Sequence, residues 1–321
     1  MLHFIVFFLF IVIFNNVYFV VGWDPSNFTF NPGQDYELVF QDDFENVGPV
    51  KAFINGKPAY APNPKNWAPI VGMHIDGGLQ NFTNSIFNAY VQDGKFTLVA
   101  LKEGLTSGMY ASKNLQEFTF GIWAAKIQLP YGKGIWPAWW LLGNADKYKL
   151  KWPTCGENDI LEMVGYANKY KLGWPTCGEN DILEMVGGNN VSVNLTDQYA
   201  HGTVHWNNQS NMMKPVFNKQ IHQQWKTPDD SMLHNHSLVY WTEWTSEQIT
   251  IGVNEFIYSR INTTNLPESI NPVWAFSGKW PFYMIINIGI GGEWPGPPDN
   301  TTVWPQLMVT DWIRVYQKKI E

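Results

Sequence analysis

Cysteine is nearly missing from this chain of 321 residues, which has only two. They are Cys155 and Cys177, and both sit at the same place in two copies of one segment, WPTCGENDILEMVG. A disulfide framework is therefore not expected to hold the fold. Charge is scarce too, at 15% of residues, with a formal net charge of −7. No run of Lys or Arg exceeds two residues, and Lys318-Lys319 reads as a solvated end. Nucleic acid and anionic membrane surfaces are thus not expected partners. No stretch sustains apolar residues at i, i+3, i+4 and i+7, so helices should be few. No Ser/Gly-rich or Pro-rich linker divides the chain beyond its N-terminal segment, so residues 23–321 read as one domain.

Aromatic residues are what the sequence has in excess: 16% of the chain, with 17 Trp. Indole rings fill cores, and they also suit flat apolar ligand faces such as those of sugar rings. Short apolar and aromatic runs alternate with turn residues. YELVFQDDF, KFTLVALK, FGIWAAKIQLP, IWPAWWLLG, HSLVYWTEW, QITIGVNEFIYS, FYMIINIGI and DWIRVYQ all read as strands. TSEQ, between VYWTEW and ITIGVNEFIYS, reads as a hairpin loop. So many strands in a chain this long predict an all-β fold, a two-sheet sandwich or jelly roll.

Residues 4–14 are unbroken apolar, followed by Asn15-Asn16, a second apolar stretch and Gly22. Residues 1–22 read as a signal peptide with small enough residues at Val20-Val21-Gly22, although no Lys or Arg precedes the apolar run. An uncleaved anchor is the alternative, since residues 4–21 are nearly long enough to span a bilayer. Either reading sends the rest to the secretory lumen, and a secreted protein is expected. Eight Asn-X-Ser/Thr triplets fit that compartment: Asn27, Asn81, Asn190, Asn194, Asn208, Asn235, Asn262 and Asn300.

Each copy of the repeat carries acids in the pattern Glu-X-Asp-X-X-Glu: Glu157, Asp159, Glu162 and then Glu179, Asp181, Glu184. On a strand, side chains alternate faces, so Glu179 and Asp181 share one and Glu184 would point the other way. One extra residue, at Ile182 or Leu183, would restore Glu184 to that face as a β-bulge. Three carboxyl groups on one face are electrostatically costly, and glycoside hydrolysis is a chemistry that uses them. A retaining enzyme needs a carboxylate nucleophile and a carboxylic acid about 5 Å apart. A third acid between them can hydrogen-bond the nucleophile and raise its partner's proton affinity. Solvated acids on an outward polar face are the alternative reading of these residues.

The surroundings bear on that choice. GENDILEMVG preceded by Trp-Pro resembles the active-site strand of glycoside hydrolase family 16, in its bulged laminarinase-like branch. LVFQDDF (38–44), TSGMYASK (106–113), FTFGIWAAKIQLPYGKGIWPAWWLLG (118–143), HGTVHW (201–206), PFYMIINIGIGGEWPGPPD (281–299) and VTDWIRVYQ (309–317) follow in the family's order. The resemblance implies a concanavalin-like jelly roll with a concave substrate cleft and retaining hydrolysis of internal β-1,3 or mixed β-1,3/1,4 glucan linkages. It makes the first Glu the nucleophile, the Asp its assistant and the second Glu the general acid/base. Trp136, Trp140, His205 and Trp294 match positions near substrate, with core packing or strand-end capping as the alternative. Asp311 matches a position near a structural calcium in some members, against an ordinary surface carboxylate. No cofactor is otherwise expected, the partner is a β-glucan polysaccharide, and the chain is expected to be a monomer. The competing function on the same fold is a non-catalytic β-glucan-binding recognition protein, but such relatives typically lose one or both catalytic Glu. Both are present here.

Asn158 and Asn180 stand where the family has a bulky aliphatic residue facing between the sheets. A buried Asn without partners would cost about 1–3 kcal/mol. GIWAAKI also lacks the Arg and Glu that many members carry there. Residues 145–165 recur as 167–187, differing only at Asp146/Asn168 and Lys151/Gly173. A sandwich has room for one such strand, so the other copy should become a loop, which costs little closure entropy. Gly173 completes the family's Gly-Trp-Pro, and copy two runs on naturally toward HGTVHW. Glu179, Asp181 and Glu184 are therefore the favoured site, with Glu157, Asp159 and Glu162 as the alternative register.

Overall fold

A computed structural model describes residues 23–45, 48–72, 77–144, 177–190, 195–207, 218–270 and 274–320. Residues 1–22 and the first repeat copy lie outside this set. Strands dominate, joined among the described residues by turns and short 3₁₀ segments of three or four residues. The all-β expectation holds because β-branched and aromatic runs recur between Gly, Pro and Asn turns.

Among the described residues, two sheets of eight strands form the body of the fold, with three two-stranded pairs beside them. The front sheet runs Asn218–Lys226, Tyr199–Asn207, Glu179–Glu184, Ile135–Gly143, Phe282–Ile290, Met109–Ala111 and Ala68–Pro69, with Glu117–Phe118 also pairing onto Phe282–Ile290. The back sheet runs Phe256–Asn262, Gln248–Val253, Ser237–Trp244, Gly121–Gln128, Gln306–Lys318, Lys95–Ala100 and Ala89–Gln92, with Tyr36–Asp42 added on Gln306–Lys318. Pairing within both is antiparallel.

The core lies between the sheets, and tryptophan fills much of it. Trp123, Trp139, Trp206 and Trp244 are fully buried there beside Phe96, Tyr240 and Ile286. Each such side chain contributes roughly 1.5–3 kcal/mol of burial free energy. Along Ile135–Gly143 the alternation is regular: Ile135, Trp139 and Leu141 enter this core. Ala138, Trp140 and Leu142 face the other way, into a second apolar cluster with Phe82, Met109, Tyr283 and Ile285.

QITIGVNEFIYS, read as one strand, is two. Gln248–Val253 turns at Asn254 and returns as Phe256–Asn262. Asn254 takes φ of 48°, a left-handed conformation that Asn tolerates better than most residues. The TSEQ hairpin is present, pairing Ser237–Trp244 with Gln248–Val253.

Candidate active site

The second repeat copy supplies the strand at the centre of the front sheet. Glu179–Glu184 pairs with Ile135–Gly143 on one side and Tyr199–Asn207 on the other. Toward Ile135–Gly143 the register runs Trp140↔Asp181 and then Trp139↔Leu183, stepping over Ile182. Toward Tyr199–Asn207 it runs Asp181↔Thr203 and then Glu184↔His201, three residues against two. Ile182 is thus a bulge residue, paired on neither side. Ile182 and Leu183, although sequence neighbours, both enter the core between the sheets, which a regular strand cannot arrange. Glu179, Asp181 and Glu184 thereby come to one face, the two glutamates half-buried and Asp181 buried.

Asn180 points the other way, across the sandwich. Its Nδ2 donates to Thr242 Oγ1 on the back sheet at 2.9 Å, and the Thr242 hydroxyl donates onward to the Thr250 carbonyl at 2.9 Å. Its Oδ1 finds no partner. The expected penalty is thus half relieved, by a threonine that one strand's sequence could not foretell.

The carboxyl cluster is electrically crowded. Burial, then the Asp181 charge, holds Glu179 well above the usual carboxylate range. His205 acts against that rise, whereas a hydrogen bond shared with Asp181 and the charge of Glu184 add to it. His205 Nε2 lies 3.2 Å from Asp181 Oδ2, and its Nδ1 lies 3.1 Å from Asn218 Oδ1. The imidazole is therefore held between the acid and the edge strand. At the other end, Trp136 Nε1 donates to Glu184 Oε1 at 2.9 Å, fixing one carboxyl oxygen. Trp294 stands edge-on to Trp136 at 5.6 Å and to His201 at 5.0 Å, and so bridges the strands on either side of Glu184. His201 is buried and stacked on His222; burial, then His222, pushes its imidazole down to about 3, so it is neutral.

Several expected residues take different places. Trp140 is buried in the second apolar cluster, and its Nε1 donates to Asn287 Oδ1 at 2.9 Å, so it packs rather than presenting a face to sugar. Trp136 is buried as well, and its contact with the site is the N–H on Glu184. Trp294 is half-buried and His205 is partly covered beside Asp181. Glu157, Asp159 and Glu162 lie outside the described residues. Asp311 pairs with Lys95 and, at 3.5 Å, with Lys126. Two ammonium groups on one carboxylate do not fit a calcium site, which needs six to eight oxygen ligands.

Sequence reading missed His201, His222, Asn218, Thr242 and Tyr258. The spacing of His201 and His205, four apart on a strand, does place both on the carboxylate face. Among the described residues, Glu179, Asp181 and His205 bring donor atoms within 4.8 Å of one another. A divalent cation held there would neutralise the carboxylates rather than assist them. Chemically, the face offers a hydrogen-bonded acid pair beside a separately anchored carboxyl, a set suited to one nucleophile and one proton carrier.

An XgeA-like catalytic GH16 domain profile matches residues 111–275. A beta-glucanase of Rhodothermus marinus is 30% identical over 294 residues, covering 88% of this chain and 85% of its own. Among solved structures, the catalytic domain of an endo-1,3-beta-glucanase (laminarinase) from Thermotoga petrophila RKU-1 is 27% identical with a TM-score of 0.66, covering 89% of this chain and 99% of that one. The laminarinase catalytic domain from Thermotoga maritima MSB8 is likewise 27% identical with a TM-score of 0.66, over 90% of this chain and all of that one.

Proposed function

The chain belongs to glycoside hydrolase family 16, and from that footing we propose that it is a secreted endo-β-1,3-glucanase working with retention through Glu179 and Glu184. The observation that carries this reading is the bulge at Ile182, which brings both glutamates and Asp181 to one face of a central strand. A strand without it would bury Glu184 among apolar residues.

In the first step Glu179 attacks the anomeric carbon while Glu184 gives its proton to the glycosidic oxygen. The C–O bond breaks and a glycosyl ester forms on Glu179. In the second, Glu184 takes a proton from water, the oxygen attacks the anomeric carbon, and Glu179 leaves as carboxylate. Glu179 must be ionised to attack, yet its surroundings favour the proton. Asp181 resolves this by holding the shared proton itself and donating it as a hydrogen bond to the Glu179 carboxylate. His205 sits against Asp181, where it can steady that arrangement. The reaction needs only side chains, and no cofactor is proposed.

Secretion is supported by the apolar segment at residues 4–14 and by the triplets. Asn27, Asn81, Asn235, Asn262 and Asn300 are all exposed, as glycan attachment requires. Incubation with laminarin tests the activity: the chain should release oligosaccharides whose first-formed anomer, read by NMR, is β. Glu184→Gln should abolish release and Glu162→Gln should leave it intact; the reverse would assign the reaction to the first copy. Laminarin binding without new reducing ends at any pH would instead make the protein a glucan binder.

A further inference from the structure

We propose that Tyr258, on the opposite sheet, is a positioning residue for the reaction: its hydroxyl holds the bulge that aims Glu184. This rests on the assignment of Glu184 as the proton carrier.

A bulge residue leaves the ladder, and its backbone groups must find partners elsewhere. Ile182 is paired with neither neighbouring strand, and its carbonyl accepts a hydrogen bond from Tyr258 Oη at 3.1 Å. Tyr258 is placed for this by an irregularity of its own. In the back-sheet hairpin Ile251 pairs with Ser259 and Gly252 with Ile257, so Tyr258 is the extra residue of a second bulge. One bulge thus reaches across the core to the carbonyl of the other.

Two glycines make the room. A Cβ on Gly252, opposite the second bulge, would lie 2.4 Å from the Trp241 ring and 2.8 Å from the Phe256 carbonyl oxygen. A Cβ on Gly202, beside the first, would lie 2.8 Å from the Tyr258 hydroxyl and 3.1 Å from its ring. Burial, with Tyr240, Asp181 and Glu184 adding to it, keeps the phenol protonated and so able to donate. Only Leu183 separates Ile182 from Glu184 along the chain, so the rotation of that carbonyl decides the face on which Glu184 emerges. Glu179 and Asp181 precede the bulge and do not depend on it in this way.

The asymmetry gives the test. Glu184 is needed to protonate a poor leaving group, whereas an aryl glycoside with an acidic phenol leaves without that help. Tyr258→Phe should lower kcat on laminarin about 10- to 100-fold, with KM nearly unchanged, and should barely alter the first-step burst on a dinitrophenyl β-glucoside. Gly202→Ala, which crowds the hydroxyl without removing it, should give the same split. Tyr240→Phe is the control, because the Tyr240 hydroxyl is buried without a partner and removing it should leave both rates alone. Equal losses on the two substrates in Tyr258→Phe, or a lower melting temperature with laminarin kcat intact, would overturn the positioning role and leave the glucanase reading standing. A wild-type chain that cleaves neither substrate would overturn that reading, and this role with it.

Discussion

At the scale of single residues, Glu179 is where stability and chemistry pull apart. An unfolded glutamate loses its proton near 4.5, whereas in the fold burial and Asp181 hold that proton to higher pH. Between those two values the native state binds more protons than the unfolded one, so stability falls as pH rises through the window. Above it the full cost of the buried charge is present. Glu179→Gln should therefore melt higher than wild type at pH 7, by about 2–4 °C for each kcal/mol relieved, while losing activity. The gap should close below pH 4.5, where both side chains are uncharged; a constant gap across pH would point to packing instead. The same charges set the acid limb of activity. Removing His205 deletes the influence that opposes the rise, so His205→Ala should move that limb to higher pH. Asp181→Asn keeps an uncharged hydrogen-bond donor where the reaction uses protonated Asp181, and should leave that limb where it is. Profiles of kcat/KM against pH for the two variants check both outcomes.

At the scale of elements, the carboxylate strand shows how far sequence reading reaches. The offset of five from Glu179 to Glu184 demands an irregularity if the two are to share a face, and that inference needs only the two-residue period of a strand. Which groups then meet the carboxyls was not legible, because it depends on pairing between segments far apart in the chain. Trp136 read as a sugar platform, but its N–H ends on Glu184 because Ala138, two residues on, is the pairing partner of that glutamate. Trp140, two further along the same face, is covered by Phe82 and Tyr283, whose arrival local pattern does not disclose. Asn180 shows the same limit, since its partner Thr242 lies 62 residues away in the other sheet. The end of the strand is held as tightly as its middle. Gly187 donates to the Ile135 carbonyl at 2.8 Å, and a Cβ there would lie 2.0 Å from the Gly132 carbonyl oxygen. Backbone on both sides leaves no side chain to yield. Gly187→Ala should cost on the order of 1–3 kcal/mol, seen in urea as a lower midpoint at unchanged slope.

At the scale of the whole molecule, the duplication bears on how the carboxylate strand is delivered to the sheet. Gly143 N–H donates to the Gly178 carbonyl at 3.1 Å, and Leu142 pairs with Glu179, so the two strands join as neighbours whatever lies between them. The first copy falls in that connection. Removing residues 145–166 would shorten it from 35 residues to 13, easing loop closure by about 1 kcal/mol. Every strand of both sheets would remain, as would the Trp280 Nε1 bond to the Cys177 carbonyl at 2.9 Å that fixes the entry to the carboxylate strand. The shortened chain should thus melt at or slightly above the wild-type temperature and hydrolyse laminarin at the same kcat. A loss of activity at an unchanged melting temperature would show that the first copy contributes to the site. A fall in melting temperature with activity retained would show that it packs against the sandwich without taking part in the chemistry. Because both copies spell the same strand, deletion of the second in its place is the sharper comparison. If the first copy can slide into the vacated register, activity returns through Glu157 and Glu162, and the choice between copies is one of chain connection rather than of side-chain chemistry.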